Sequence, residues 1–267
     1  MAKRRKLFSS NPVELKPGDI EYELGVAVPG TIQPRENWAQ TALKRLPESG
    51  GLNVEQLFDR QAPLAVEIGC GNGRFTISSG VRRPDWNHLA IDILPAVVRY
   101  ATRRANQRGL TNVRVAVCDG WRFLQQFLQT NSVDEFHIYH PQPYADPNDS
   151  AKRMMTPEFI ALMVDRLVIG GKAFLQTDRE PYWKYIQQVF QAFFEIQIVD
   201  GRWPEDPLGR SRREFLSEQQ GLKLYRAVGT KTKLFNDSEI VSLIESLPQP
   251  EFKIEQERKL WKKRRRR

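Results

Sequence analysis

The sequence predicts a doubly wound α/β domain, a Rossmann-like sheet of seven strands with the last one antiparallel. Three observations carry this. An apolar strand over residues 63–68 runs into Gly69, Gly71 and Gly73 and then into a helix that starts near Arg74. After it, short apolar runs of strand length alternate with longer helix-length segments. A polar, arginine-rich stretch over residues 200–220 separates the sixth strand from the seventh, leaving room for the last strand to enter from the opposite direction.

Each element has its own signal. Residues 83–86 (Arg-Pro-Asp-Trp) read as a loop and 88–92 as strand two, followed by a helix over 95–107. That helix carries Arg99, Arg103, Arg104 and Arg108 on its polar side, read as a solvated face or, less favoured, as an RNA track. Strand three covers 112–118 and closes at Asp119-Gly120; strand four covers 134–139 and ends in His140-Pro141-Gln142-Pro143-Tyr144. A helix over 156–167 turns at Gly170-Gly171 into strand five (172–176), which ends at Thr177-Asp178. A helix over 181–190, strand six over 194–199 and strand seven over 222–228 complete the sheet. Residues 1–59 read as an N-terminal arm with a short helix near 37–46. The core domain is expected over 60–230, and a C-terminal helix with a basic tail over 231–267.

The glycine turn points to a ligand. Its spacing is G-x-G-x-G, not the G-x-G-x-x-G of dinucleotide enzymes. With Glu67 just ahead of Gly69, it favours S-adenosylmethionine over NAD, the competing readings being another nucleotide or a plain turn. Asp92, 25 positions after Glu67, ends strand two, where a carboxylate accepts from both ribose hydroxyls. Asp119 ends strand three and is placed to read the adenine amino group. Each alone also suits a turn or helix cap; as an ordered set they favour an adenosyl cofactor.

Charge and composition narrow the classes. The net charge is +9, but four positive charges lie in residues 3–6 and eight in 258–267, so the rest of the chain is slightly acidic. Such ends suit a polyanion or simply solubility. No apolar run is long enough to span a membrane, and the basic start leads into polar residues, so neither a membrane span nor a secretory signal is expected. The two cysteines, Cys70 and Cys118, read as small fillers in a reducing cytoplasm, and zinc has no adequate ligand set. His88 and His137 read as structural; His140 alone lies at the ligand edge.

Over residues 60–229, and in the Arg5–Pro12 stretch, the chain resembles the bacterial tRNA (guanine-N7-)-methyltransferases, a family of class I S-adenosylmethionine-dependent methyltransferases. The matching residues are Glu67 before the glycine turn, Asp92, Asp119, Thr177-Asp178, and Ser211-x-x-Glu214 followed by Gly221-Leu222-Lys223-Leu224-Tyr225-Arg226. The late pairing is the most diagnostic. The resemblance implies S-adenosylmethionine bound by Glu67, Gly69, Gly71, Gly73, Asp92, Asp119 and Gln142. It also implies guanine of tRNA bound by Asp178, Ser211 and Glu214, with Asp178 and Gln142 at the transfer centre. One departure stands out: the family's Asp-Pro-Trp is Gln142-Pro143-Tyr144 here, and its basic run is reduced to Lys152 and Arg153, with Asp146 and Asp149 among it. A different substrate, or a weakly active RNA-binding paralogue, is the alternative this departure raises.

The chemistry fits these residue types. Guanine N7 carries an exposed lone pair, so methyl transfer needs alignment and stabilisation of a cationic product rather than a general base. Asp178 or Glu214 is suited to the N1–H and N2–H donors, and Ser211 adds an acceptor. Trp203 and Phe215 are read as core residues or, less favoured, as base-stacking rings, and Arg210, Arg212 and Arg213 as phosphate contacts.

Overall fold

The computed structural model describes residues 14–48 and 50–253. The expectations for residues 3–6, for the Arg5–Pro12 stretch and for the basic tail at 258–267 lie outside the described residues. The chain begins with an antiparallel hairpin, β1 (Ile20–Glu23) and β2 (Val26–Thr31), then a two-residue strand β3 (Ala42–Leu43) and α1 (Val54–Phe58). The sheet-building units follow: β4 (Leu64–Ile68), α2 (Arg74–Arg82), β5 (Asn87–Asp92), α3 (Pro95–Gln107), β6 (Val113–Val117) and α4 (Gly120–Gln126). After these come β7 (Val133–Tyr139), α5 (Pro157–Arg166), β8 (Leu167–Thr177), α6 (Glu180–Phe193) and β9 (Glu195–Ile198). The last elements are α7 (Arg212–Gln219), β10 (Tyr225–Thr230) and α8 (Asp237–Ser246).

The main sheet has the order β3-β6-β5-β4-β7-β8-β10-β9. Strands β3 to β8 pair in parallel; β10 slots between β8 and β9 and runs antiparallel to both. This is the expected seven-stranded sheet, extended at one edge by β3. The strand order reverses between β4 and β7, so their C-terminal ends open a crevice of the kind in which α/β sheets bind ligands. β4 is buried along its whole length, as a central parallel strand requires.

Helices cover both faces. α2 and α3 pack Ile77, Val98, Ala101 and Ala105 against Ala90, Val113 and Val115. On the other side, α4 to α6 contribute Phe123, Phe159, Ile160, Tyr182, Ile186 and Phe190 to a larger core with Val66, Leu89, Phe136 and Leu175. The helix starts follow local chemistry. Thr156 caps α5 through the Phe159 N–H with Pro157 at its first position, and Asn236 and Glu239 form a reciprocal capping box on α8.

Two sequence expectations need correction, and one connection gains an element. The helix expected over 37–46 is instead a 3-10 turn (Arg35–Asn37) and strand β3, because the Thr41 amide and hydroxyl bond the Asn106 side chain and the Thr41 carbonyl accepts from Val115, fixing an extended edge. The connection over 200–220 holds a capped helix, α7. Arg104 and Arg108 do not lie on a solvated face: both are buried, paired with Glu21 of the hairpin.

Candidate active site

The glycine turn forms the floor of the crevice. Gly69, Gly71 and Gly73 have φ of 78°, 52° and 76°, the left-handed region. At Gly73 a side chain is excluded twice over, since a Cβ there would also stand 2.7 Å from the Ala101 Cβ of α3. The Gly69 and Cys70 amides both donate to the Ile91 carbonyl at 2.9 Å, tying the turn to β5. Glu67, Gly69, Cys70, Gly71, Asn72 and Arg74 line one side of a cavity of about 910 Å³. Glu67 is buried and accepts from the Thr76 amide and hydroxyl; burial nonetheless pushes its carboxyl up to about 8. Burial also raises the Cys70 thiol well above its ordinary value, so it stays a neutral filler.

Asp92 and Asp119 stand at neighbouring strand tips on the same sheet edge, outside the residues that line the cavity. Asp92 accepts from the Gly71 and Leu94 amides, both at 2.9 Å, so it shapes the glycine turn while each oxygen keeps a further lone pair. Asp119 caps α4 through the Arg122 amide. Next to them in the chain Ile93, Leu94 and Trp121 expose apolar side chains, which carry no sequence period to mark them.

The other side of the cavity comes from the tips of β7 and β8. His140, Pro141, Gln142, Pro143, Ala145 and Asp178 line it. His140 has φ 55° and Tyr144 φ 39°, strained values for non-glycine residues and typical of a ligand-binding loop. Gln142 is exposed to the cavity. The Asp178 side chain is buried and its Oδ2 accepts from Arg213 Nε at 2.9 Å and Ser217 Oγ at 2.8 Å, with Arg213 Nη2 at 2.7 Å. Burial opposes its ionisation, yet contacts with His140, Ser217 and Arg213 win and hold the carboxyl below the usual range. Arg153, by contrast, points inward. It donates to the Pro143 and Tyr144 carbonyls at 2.8 and 2.9 Å and also to the Pro250 carbonyl, and it lies 4.0 Å over the Phe252 ring. Lys152 pairs with Asp149 at 2.8 Å.

The late insertion supplies the roof. Ser211 caps α7 by accepting from the Glu214 amide at 3.1 Å, and it lines the cavity with Arg210, Arg212, Arg213 and Leu216. Glu214 does not reach the cavity. It is completely buried, accepts from the Arg210 amide at 2.7 Å and pairs with Arg226 Nη2 at 2.7 Å. The Ser-x-x-Glu element is thus a helix cap that fastens the roof to β10. Trp203 and Phe215 are buried core rings. Arg210 is buried among Phe75, Tyr139, Phe174 and Trp203, 4.3 Å from the Trp203 ring centre, and bonds the Tyr139 hydroxyl at 2.7 Å. Of the three arginines proposed for phosphates, Arg212 is the one whose side chain is mostly exposed.

Arg74, which sequence reading passed over, joins the pieces. Buried at the start of α2, it donates to the Ala27 carbonyl of the hairpin at 2.9 Å and to the Leu208 and Gly209 carbonyls of the roof, both at 3.2 Å. It pairs with Glu23 at 3.5 Å and packs 4.5 Å over the Phe215 ring. Hairpin, glycine turn and roof therefore meet at one guanidinium. Among the described residues no group of His, Cys, Asp or Glu is placed to hold a metal ion, and no helix is long and apolar enough to cross a membrane.

A family model described as "Putative methyltransferase" matches residues 61–229. The chain is 32% identical over 163 residues to a tRNA (guanine-N(7)-)-methyltransferase of Psychromonas ingrahamii, covering 58% of this chain and 67% of that protein. It is 33% identical over 205 residues to one of Streptomyces avermitilis, covering 72% of this chain and 70% of that protein. Among solved structures, a 16S rRNA methyltransferase (KamB) covers 73% of this chain and 99% of its own at 14% identity and a TM-score of 0.53, a likeness of fold alone. With a glycine turn at the sheet's switch point, an antiparallel β10 and these relatives, the chain belongs to the tRNA (guanine-N7-)-methyltransferase family of class I methyltransferases.

Proposed function

We propose that the protein transfers a methyl group from S-adenosylmethionine to N7 of a guanine in tRNA, in the cytoplasm. The observation that carries this is the meeting of the glycine turn, Gln142 and the ionised Asp178 around one cavity. The residues fit the cofactor: a Cβ built at Gly69 or Gly71 meets nothing within 4 Å, so the turn is open on the cavity side. Gly69, Gly71 and Glu67 would hold its amino-acid end, Asp92 its ribose and Asp119 its adenine, beside the exposed Ile93 and Leu94. When bound, the cofactor supplies an electrophilic methyl group on a sulfonium.

Attack of the guanine N7 lone pair on that methyl group would leave the C–S electron pair on sulfur and the positive charge on the product base. No proton moves. The work of the chain is alignment and charge. Asp178 accepts from the guanine N1–H side and offsets the growing positive charge on the ring. Ser211 lines the same wall, and Gln142 stands at the transfer centre as a neutral hydrogen-bonding group. Glu214 acts from behind by fixing the roof through Arg210 and Arg226. The base must leave its stack to reach the cavity, and Arg212 is placed to meet a flanking phosphate.

Incubation of the protein with an unmodified tRNA transcript and methyl-labelled cofactor, followed by digestion to nucleosides, tests this directly. Label in 7-methylguanosine is expected; label in any other nucleoside, or none, rejects it. A methyltransferase for another RNA is the second reading. The inward turn of Arg153 and the pairing of Lys152 with Asp149 favour it, because they withdraw two positive charges from the loop that would face tRNA.

A further inference from the structure

The cavity wall contains a buried donor that touches Asp178 only loosely and is left without a hydrogen bond. The His140 side chain is 7% exposed, and its Nδ1 has no hydrogen-bond partner among the described residues. Its tautomer is fixed by its neighbours. Gln176 Oε1 accepts from Trp203 Nε1 and from Arg226 Nε, both at 2.7 Å, and both of those groups can only donate. The Gln176 amide NH₂ is therefore the group 2.9 Å from His140 Nε2. An amide NH₂ donates, so Nε2 must accept, and the ring proton resides on Nδ1.

This N–H stands 3.5 Å from Asp178 Oδ1, longer than an ordinary hydrogen bond of roughly 2.7–3.2 Å. The backbone holds it there: His140 is kept at φ 55° by its amide, which donates to the Gln176 carbonyl at 2.7 Å. A donor and a carboxylate acceptor thus stand side by side in the cavity wall. The complementary ligand edge is a carbonyl next to an N–H. Guanine presents that lactam edge as O6 and N1–H; adenine presents the reverse, an amino group next to a bare ring nitrogen.

We infer that His140 is a specificity-determining residue whose Nδ1–H bonds guanine O6 while Asp178 takes N1–H, so that the pair selects the lactam edge of a purine. This rests on the guanine-N7 reading above. It also gives a reason for the Gln176–Trp203–Arg226 cluster beneath the site: these residues set the proton's position on His140 and touch no substrate themselves.

The test pairs a residue change with a change of one substrate atom. tRNA assembled by ligation carries guanosine, inosine or 6-thioguanosine at the methylated position; inosine keeps the lactam edge, and 6-thioguanosine replaces O6 by a weakly accepting sulfur. The wild type should methylate inosine within about 10-fold of guanosine and lose about 10-fold in kcat/KM on 6-thioguanosine, as for one buried hydrogen bond. H140A should lose about 10-fold on guanosine and nothing further on 6-thioguanosine, with cofactor affinity unchanged. H140N, which tolerates a left-handed backbone and restores an N–H donor, should recover most of the loss. Multiplicative losses in H140A, a changed cofactor affinity, or a wild type indifferent to sulfur would overturn the inference. The last of these needs no variant to fold. A wild type that methylates no guanosine removes the function reading and this one with it; one that methylates guanosine but gives multiplicative losses removes this one alone.

Discussion

Replacing Glu214 by alanine separates a contact to the substrate from a clamp on the fold. Glu214 is fully buried; its removal leaves Arg226, 4% exposed on its side chain, without its carboxylate, and the Arg210 amide without its acceptor. Breaking one partner of a buried ion pair costs about 3–5 kcal/mol. For a chain of this size that is a fall of about 10 °C in Tm. E214Q keeps an acceptor for the Arg210 amide but loses the charge, and should cost about 1.5–3 kcal/mol. The ion pair also predicts a pH dependence. Arg226 and the Arg210 amide outweigh burial and lower the Glu214 carboxyl below its ordinary value. Its stabilisation is therefore complete above the unfolded carboxylate range and fades as pH falls through the lowered folded value. Urea unfolding at pH 7 and at pH 4 measures both effects, and the wild type should lose more stability than E214Q between them. If E214A unfolds within 1 kcal/mol of wild type while methyl transfer is abolished, Glu214 is a substrate contact and the clamp argument is wrong.

Further predictions concern the cavity. D178N should lose methyl transfer by at least about 100-fold while calorimetry shows cofactor affinity within a few-fold, because an amide neither balances the product's charge nor accepts as strongly; parallel loss of both would place Asp178 in the cofactor site. G73A should weaken cofactor binding and lower stability by about 1–3 kcal/mol, since it adds a Cβ 2.7 Å from Ala101 at φ 76°; a neutral substitution would refute the close packing. Glu67, pushed up to about 8, favours its neutral form in the fold. Its contribution to stability is present below the ordinary carboxylate pKa and is lost as pH rises through about 8. The cationic cofactor should therefore gain affinity between pH 6.5 and 8.5 relative to its neutral demethylated product, and equal pH profiles would contradict this. R153M should raise protease cleavage within residues 141–145 and lower kcat, as it frees the Pro143 and Tyr144 carbonyls; unchanged cleavage would show that the loop holds itself.

The parts of the molecule legible in the sequence are those set by local pattern. Strand β4, the three glycines and the acids at three strand tips follow from burial period and turn geometry within a few residues of one another. What the sequence hid are pairings across long separations. Glu21 and Glu23 gave no sign that they would bury Arg104, Arg108 and Arg74, because ion pairs formed by separate elements have no period. Strand β3 is two residues long, too short for any alternation to register. The Ser211-x-x-Glu214 element was visible, yet which of its groups faces the ligand depends on Arg226, twelve residues further on, turning inward. His140 was placed at the correct edge, but its free Nδ1 depends on Gln176, Trp203 and Arg226 from other elements.

The most direct measurement maps the methylated position. tRNA treated with the protein and S-adenosylmethionine is reduced and cleaved with aniline, which breaks the chain only at 7-methylguanosine. One new break, at a guanosine that stays intact when D178N replaces the wild type, is the expected result. Methyl groups entering the tRNA with no such break would contradict the account at its centre.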